Sequence, residues 1–477
     1  MTAQQGALLP LCVDLDGTLV RTDTLVEGLL ALAGGLRFAA LLGAFARGRA
    51  ALKADVAALA PPDPALLPYN GKLLEYIAAQ RAAGRHIVLA TAANSAVAEA
   101  VAGHLGLFDE VIASTATRNL KGPAKAAALV ARFGRGGFAY AGDARADLAV
   151  WAEAGAAVLV DVAPAVAARV AVPVERRIAT RPALLPTLLR AMRPHQWVKN
   201  LLVFVPILTA YALTDWPGWW GGLRAFAAFS AAASGIYLVN DLLDLAADRA
   251  HPKKRLRPFA AGDASAASGL VLSMVLLALA GVLAVLAGIF VVVAAYAATS
   301  LAYSLWLKRL PLVDVFALAG LFTIRLFGGG EATGHALSLW LLAFASFLFL
   351  SLALVKRVAE AMDSGRRATS QVAGRGYGAD DVMILQLFGV CASFAASLVL
   401  ALYVQAEAAS GRFAAPGLLW GIVPLVLLWN CRMWLSTARG YMHHDPILYA
   451  ARDRVTWAIA LAVVAVMLAA HAAAWPG

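Results

Sequence analysis

Two carboxylates two positions apart, Asp14 and Asp16, close an apolar run that begins at Leu8 and are followed by Gly17 and Thr18. Both would emerge at the carboxyl end of a strand, where a tight glycine turn can aim them at one ligand. One can then attack phosphorus while the other moves a proton, provided a cation offsets their repulsion. Asp143 and Asp147 follow a second apolar run, Phe138 to Ala141, and supply acids able to hold that cation. Hard carboxylate oxygens with no His or Cys nearby indicate Mg²⁺. A third group lies far downstream. Asn240, Asp241, Asp244 and Asp248 end a long apolar run, and acids at i, i+3 and i+7 face one way on a helix. Three unpaired negative charges on one stripe at a membrane boundary repel one another, which suits a Mg²⁺-bound diphosphate and not packing. The stretch Arg249 to Pro258 adds Lys253, Lys254, Arg255 and Arg257 for phosphate oxygens. Decoration of a cytoplasmic loop would explain those cations but not the acids before them.

The chain that must position these groups has 477 residues, 61% hydrophobic and 14% charged, with a mean hydropathy of +0.73. Soluble domains carry about 25% charged residues, so much of this chain must have lipid as its solvent. A wholly soluble protein, a disordered chain and a collagen-like repeat are thereby excluded. At roughly 150 residues per domain, the length suggests two to four domains. The net charge of +11 and pI near 9.8 are accounted for by basic loops on one membrane face, so nucleic-acid binding is not expected. Cys12, Cys391 and Cys431 lie far apart without metal-ligand spacing, so neither disulfides nor zinc is implied. No secretory signal is expected ahead of Asp14, because the first residues lack a basic flank and a sufficient apolar run.

Composition changes near residue 190. Before it, 19 Lys and Arg and 15 Asp and Glu are spread over alternating strand-like and helix-like pieces; after it, 21 and 14 gather between long apolar runs. The expected organisation is a soluble α/β domain at 1–172, a connection at 173–194 stiffened by Pro173, Pro182, Pro186 and Pro194, and an all-α polytopic membrane domain at 195–477. Strands are expected in Leu8 to Leu15, His86 to Ala90, Glu110 to Ala113, Phe138 to Ala141 and Ala156 to Val160. Helical stretches at Leu73 to Ala83 and Ala124 to Phe133 separate them. That order predicts a parallel doubly wound sheet with its ligands at the carboxyl ends of the strands.

About nine runs approach the ~20 residues that a spanning helix needs. They lie near 200–216, 224–243, 268–287, 288–306, 313–330, 337–355, 383–405, 416–435 and 455–474. With a cytoplasmic N-terminus, 18 of the 21 Lys and Arg of this half fall on the cytoplasmic side, among them Arg366, Arg367 and Arg375. Arg224 and Arg412 fall on the other side, and Arg325 inside a span. The expected location is the inner (plasma) membrane, with the N-terminal domain and the site loops cytoplasmic.

Over most of residues 8 to 165 the chain resembles the haloacid dehalogenase superfamily of phosphatases. The resemblance rests on Asp14 to Thr18, on the acids of Gly142 to Asp147, and on Thr91 at the end of Ile87 to Ala90. It implies a Rossmann-like α/β domain with a small helical cap. Asp14 would be the nucleophile forming an aspartyl-phosphate and Asp16 the general acid/base. Asp143 and Asp147 would join them at the metal, and Thr91 would be the phosphate-binding hydroxyl. The family's lysine would be either Lys125 or Lys121; Lys125 is preferred because it opens a helix. The plainer alternative, an Asp-Gly turn followed by ordinary loop acids, does not explain the second acidic cluster and Thr91 in order. The insert between Asp23 and Leu67 takes the place of the cap, with Leu25 to Leu32 and Phe38 to Phe45 followed by Arg47 and Arg49. Two short packed helices are its plain reading; a basic-edged surface that lies on the bilayer and admits a lipid-borne phosphate is the sharper one.

From about residue 190 to 475 the chain resembles the UbiA-type prenyltransferase superfamily, and within it the decaprenyl-phosphate phosphoribosyltransferase branch. The residues that carry this are Arg193 to Asn200, the stretch Asn240 to Pro258 (NDxxDxxxDRxHPxKxxRP), and Leu354 to Glu360. The resemblance implies Mg²⁺ on Asp241, Asp244 and Asp248, binding the diphosphate of 5-phosphoribose 1-diphosphate, with a polyprenyl phosphate as nucleophile. Lys199, Asn240, Lys253 and Arg257 would help to hold phosphates. Tyr303, Lys308 and Asp314 match further polar positions, although Tyr303 and Lys308 serve equally well as interfacial anchors. Arg325 should face the cavity and bind the acceptor phosphate. Lys356, Arg357 and Glu360 are either a cation-rich wall of the pocket or a helix end.

Relatives that prenylate aromatic rings usually show a second DxxxD motif, which neither Glu360 with Asp363 nor Asp380 with Asp381 reproduces. The expectation is a bifunctional enzyme that makes a lipid-linked pentose for cell-wall polysaccharide, the phosphatase domain removing the 5-phosphate. A tethered phosphatase would meet a product confined to the bilayer at high effective concentration. The rivals are an aromatic polyprenyltransferase of quinone biosynthesis with an accessory phosphatase, and a transferase with a non-catalytic regulatory domain.

Overall fold

Short runs of small and β-branched residues, buried on both faces in the four inner strands, build one parallel sheet. Its strands are β1 (Leu11–Val13), β2 (Ile87–Asn94), β3 (Glu110–Ser114), β4 (Ala139–Gly142), β5 (Ala156–Val160) and β6 (Val174–Ile178), in the order β3-β2-β1-β4-β5-β6. β1 is central, with Val13 opposite Leu89 of β2 and Ala141 of β4. Its side chains alternate between two cores. Leu11 and Val13 pack with Leu73, Ile77, Val97 and Val101 of the helices Gly71–Ala82 and Ser95–Leu105. Cys12 packs on the other side with Leu129, Val150 and Trp151. Strand order reverses between β1 and β4, which opens a crevice beyond their carboxyl ends.

The computed structural model describes residues 8–34, 48–366, 376–409, 411, 413–442 and 445–472. Phe38 to Phe45, Arg47, Arg367, Arg375 and Arg412 therefore lie outside the described residues. Within the insert, the helices Thr24–Gly34, which contains Leu25 to Leu32, and Arg49–Leu59 pack through Leu32, Leu52 and Val56. The stretch 173–194, read from sequence as a connection, contains β6 and the helix Leu184–Ala191. β6 escapes a hydropathy reading because only Ile178 of its five residues is buried. At a sheet edge, one flank needs no apolar cover.

By its contacts the chain forms two compact units, residues 1–192 with 237–273, and residues 193–236 with 274–477. Seven helices among the described residues are long and apolar enough to cross a membrane: Trp216–Leu243, Ala266–Leu286, Val313–Thr333, Leu339–Asp363, Val382–Ala408, Pro416–Ala438 and Arg454–His471. Ala266–Leu286 leaves Leu270, Val271, Met274, Val275, Val282 and Val285 exposed, a surface that only lipid would solvate at no cost. Two of the nine expected runs differ. Residues 200–216 form the end of a 3-10 run, Pro194–Phe204, and a short helix, Val205–Thr209, where Pro206 lacks an amide donor. Residues 288–306 form Phe290–Leu305, whose 16 residues reach about 24 Å, short of the ~30 Å hydrocarbon core.

Candidate functional site

The carboxyl ends of β1 and β4 bring oxygens of Asp14, Asp143 and Asp147 within 4.8 Å of one another. Lys125, buried in the first turn of the helix Pro123–Phe133, places its Nζ 2.8 Å from Asp14 Oδ1. The same ammonium donates to Tyr140 Oη at 2.7 Å, and the Tyr140 hydroxyl donates to Asp147 Oδ1 at 2.9 Å. Asp147 Oδ2 accepts the amides of Asp143 and Ala144 at 3.2 and 3.0 Å. Thr18 donates its hydroxyl to Asp143 Oδ1 at 3.2 Å. Gly17 makes this convergence possible: its φ is +80°, and a Cβ there would stand 2.4 Å from the Asp143 carboxylate. Asp16 Oδ1 accepts the Thr24 amide at 2.9 Å, which ties it to the start of the first cap helix. Thr91 is buried at the end of the central β2 run, its hydroxyl accepting the Ala93 amide at 2.9 Å. Of the two candidate lysines, Lys125 reaches Asp14, while Lys121 is exposed.

Burial, followed by repulsion from Asp14 and Asp147, pushes Asp143 up to about 7. Burial and then the charge of Asp23 push Asp16 up to about 7. Asp147 is raised chiefly by burial, and the Tyr140 hydroxyl sits well above its ordinary value for the same reason. Carboxylates crowded so closely that they resist ionising together are the setting that a hard divalent cation relieves, and an all-oxygen donor set fits Mg²⁺.

Sequence reasoning missed Tyr140 and Lys53. Lys53 lies on the cap helix Arg49–Leu59, in the wall of a narrow pocket that also includes Asp16, Thr24, Leu25, Val56 and Asn94. It donates to the Ala92 carbonyl at 2.5 Å and to Asn119 Oδ1 at 3.0 Å, and burial lowers it from the usual lysine range. Its trace in the sequence is a cation beside the buried positions Leu52 and Val56.

The acids of the third group are arranged differently from the expectation. The helix Trp216–Leu243 ends before Asp244, and a separate helix, Leu245–Ala250, follows, so the three do not form one continuous stripe. Nor are their charges unpaired. Arg257 donates to Asp241 Oδ1 at 3.1 Å and to Asp248 Oδ2 at 2.6 Å, both acids being buried. Burial raises Asp248, and Arg257 opposes that rise. Asp244 and Asn240 are half-buried and Lys253 is exposed. Among the described residues, only the phosphatase-like acids gather three carboxylates within 4.8 Å.

In the helical unit the remaining candidates form three groups. Lys199 and Lys356 converge on Asp445 Oδ2, at 2.5 and 3.7 Å. Asp445, not anticipated from sequence, caps the helix Pro446–Arg452 by accepting the Ile447 amide, and its Asp-Pro step was the available signal. Arg357 and Asp314 are fully buried against each other at 2.8 Å; Arg357 also bonds Glu360 and Tyr303, and Tyr377 donates to Asp314 at 2.6 Å. Lys308 is half-buried in the turn Leu307–Arg309. Arg325, 4% exposed, donates to Asn200 Oδ1 at 2.7 Å, to Tyr296 Oη at 3.0 Å and to the Leu321 carbonyl. It lies over the Tyr296 ring at 4.6 Å, and no carboxylate among the described residues pairs with it.

An α/β unit with a buried acidic site, joined in one chain to seven described helices long and apolar enough to cross a membrane, has the architecture of a multi-pass membrane protein. Residues 201–440 match the UbiA prenyltransferase family and residues 11–151 match the haloacid dehalogenase-like hydrolases. The chain belongs to the UbiA prenyltransferase family and carries an N-terminal haloacid dehalogenase-like domain. An uncharacterised protein, y4nM, of Sinorhizobium fredii is 36% identical over 460 residues, covering 94% of this chain and 89% of its own. Nodulation protein NoeC of Azorhizobium caulinodans is 37% identical over 272 residues, 56% of this chain and 87% of its own. Decaprenyl-phosphate phosphoribosyltransferase of Mycobacterium tuberculosis is 37% identical over 185 residues, 36% of this chain and 59% of its own.

Proposed function

We propose that the helical domain transfers 5-phosphoribose from 5-phosphoribose 1-diphosphate to a polyprenyl phosphate in the inner membrane, and that the cytoplasmic phosphatase domain then removes the 5-phosphate. In the transfer, an oxygen of the lipid phosphate attacks C1 of the ribose and the bond from C1 to the diphosphate breaks. In the second reaction Asp14 attacks phosphorus, the ester bond to the sugar breaks, and Asp16 gives the leaving oxygen its proton. Water then attacks the aspartyl-phosphate, Asp16 takes a proton from it, and inorganic phosphate leaves. Mg²⁺ on Asp14, Asp143 and Asp147 would neutralise phosphoryl oxygens, and on Asp241, Asp244 and Asp248 would stabilise the departing diphosphate. The product is a lipid-linked pentose suited to cell-wall polysaccharide assembly.

The observation that carries this reading is Arg325. A guanidinium buried in a membrane helix costs ~2.5–3.5 kcal/mol on insertion scales. Its partners here are neutral, so its charge remains to be met by an anion. A lipid phosphate is an anion that arrives at that depth, and the similarity to a decaprenyl-phosphate phosphoribosyltransferase supports the same acceptor. The test is to incubate full-length protein with Mg²⁺, polyprenyl phosphate and labelled phosphoribose diphosphate, and to resolve lipid products by charge. Two successive labelled lipids, the second lacking a terminal phosphate, are expected. Labelling of lipid only from a prenyl diphosphate with an aromatic acceptor would overturn the reading.

A further inference from the structure

Glu27 and Arg249 are 222 positions apart and form a bidentate pair, with Nη1 2.7 Å from Oε2 and Nη2 2.6 Å from Oε1. Their side chains are 10% and 6% exposed, respectively. Glu27 lies in the first turn of the cap helix Thr24–Gly34, three residues after the amide that holds Asp16. Arg249 directly follows Asp248 in the helix Leu245–Ala250, and its Nε donates to the Ala260 carbonyl at 2.9 Å. A second tie lies nearby. Asp263 accepts from Arg21 at 3.4 Å and from Arg190 at 3.0 Å. Gly262, at φ +71°, lets the loop approach so closely that a Cβ would stand 2.5 Å from Arg21 Cβ. Residues 237–273 accordingly group by contact with the phosphatase domain.

None of these contacts serves the hydrolytic chemistry around Asp14. A shielded fork-to-carboxylate pair fixes orientation as well as distance, which a point-charge lysine cannot do. Its rigid reach includes the helix that carries Asp248. We propose that Glu27 is a positioning residue for the acidic motif: through Arg249 it orients the helix Leu245–Ala250, so that the phosphatase cap is part of the support of the diphosphate site. This rests on the assignment of Asp241, Asp244 and Asp248 to the donor diphosphate. It goes beyond tethering, because it makes the transferase depend on a residue of the phosphatase.

The test uses full-length protein in detergent with Glu27→Gln, Arg249→Lys, and the exchanged pair Glu27→Arg with Arg249→Glu. Three quantities are measured: amide hydrogen exchange over 244–262, the Mg²⁺ concentration for half-maximal transfer, and turnover of p-nitrophenyl phosphate. Glu27→Gln should speed exchange over 244–262 and raise the Mg²⁺ requirement about 10-fold, the lower end for loss of an outer partner. Phosphatase turnover should persist, and the exchanged pair should recover part of both effects. Unchanged exchange and Mg²⁺ dependence in both single variants would overturn the proposal. So would an equal loss of phosphatase turnover, which would make Glu27 a cap-folding residue. If wild-type protein transfers nothing, the donor assignment fails instead; hydrogen exchange then decides alone, raised exchange in Glu27→Gln upholding the tie and unchanged exchange removing it.

Discussion

Lys125 Nζ touches Asp14 Oδ1 at 2.8 Å while it also donates to Tyr140 Oη, so one buried ammonium serves Asp14 and, through the tyrosine, Asp147. Lys125→Met should lower turnover of a soluble phosphomonoester by about 100-fold or more, the usual loss of a preorganised charge at a reacting centre. Lys121→Met should leave it unchanged. Steady-state assays of both variants decide which lysine belongs to the site.

Asp14→Asn should stop hydrolysis and leave lipid transfer running, because an amide does not attack phosphorus. The lipid product should then accumulate with its terminal phosphate intact, visible as a single, more acidic band. A wild-type product pattern would show that the two reactions are not sequential.

Gly17→Ala should cost ~1–3 kcal/mol in backbone strain and displace the Asp143 carboxylate, which a Cβ would meet at 2.4 Å. Phosphatase activity should fall more than the stability of the domain. Activity with an unshifted melting profile and unshifted Mg²⁺ dependence would contradict this.

Arg325→Lys keeps the charge but loses the planar fork that bonds Asn200 and Tyr296. Acceptor KM for polyprenyl phosphate should rise about 10-fold, a difference of ~1.4 kcal/mol, while donor affinity measured by titration stays close to wild type. Equal losses for donor and acceptor would make Arg325 a packing residue of the bundle.

Glu175 pairs with the buried Arg85, Oε1 lying 2.5 Å from Nη1, and this hydrogen bond holds its carboxyl below the usual range. A carboxyl lowered by folding contributes stability above its unfolded value, near 4.3, and loses it as pH falls through the lower folded value. Glu175→Gln should therefore destabilise the N-terminal domain by ~1 kcal/mol at pH 7, and the difference should shrink once pH falls below about 4.3 and vanish below the lower folded value. Limited proteolysis across pH follows this directly.

The same Glu175 shows where sequence reading ends. β1 to β5 were legible because each contains an apolar run, fully buried in β1, β4 and most of β2 and β5, and the carboxylates at their ends were legible in Asp14 and Asp143. β6 was not, since Val174-Glu175-Arg176-Arg177-Ile178 gains its place from pairing with β5 and from Arg85, neither of which is local. Hydropathy likewise shows one apolar run at 200–216 and not its division into a 3-10 stretch and the short helix Val205–Thr209, which starts where Pro206 cannot continue the preceding turn. The membrane acids were recognised by spacing, but their sharing of Arg257 depends on a chain reversal between Ala250 and Arg257 that spacing does not encode. Lys53 and Asp445 were missed because Lys53 meets Asn119, and Asp445 meets Lys199, only across the fold.

The sheet also sets an order of manufacture. All six strands lie within residues 11–178, so the phosphatase domain can close its sheet as the chain emerges. The segment 237–273, which completes the same compact unit, begins about 60 residues later. At roughly 5–20 residues per second, that is an interval of about 3–12 s in which Glu27 has no Arg249 and the cap lacks its companion loop. During that interval Trp216–Leu243, a candidate membrane span, is itself being made. Synthesis of 237–273, not completion of the sheet, therefore sets the earliest moment at which the N-terminal unit becomes whole.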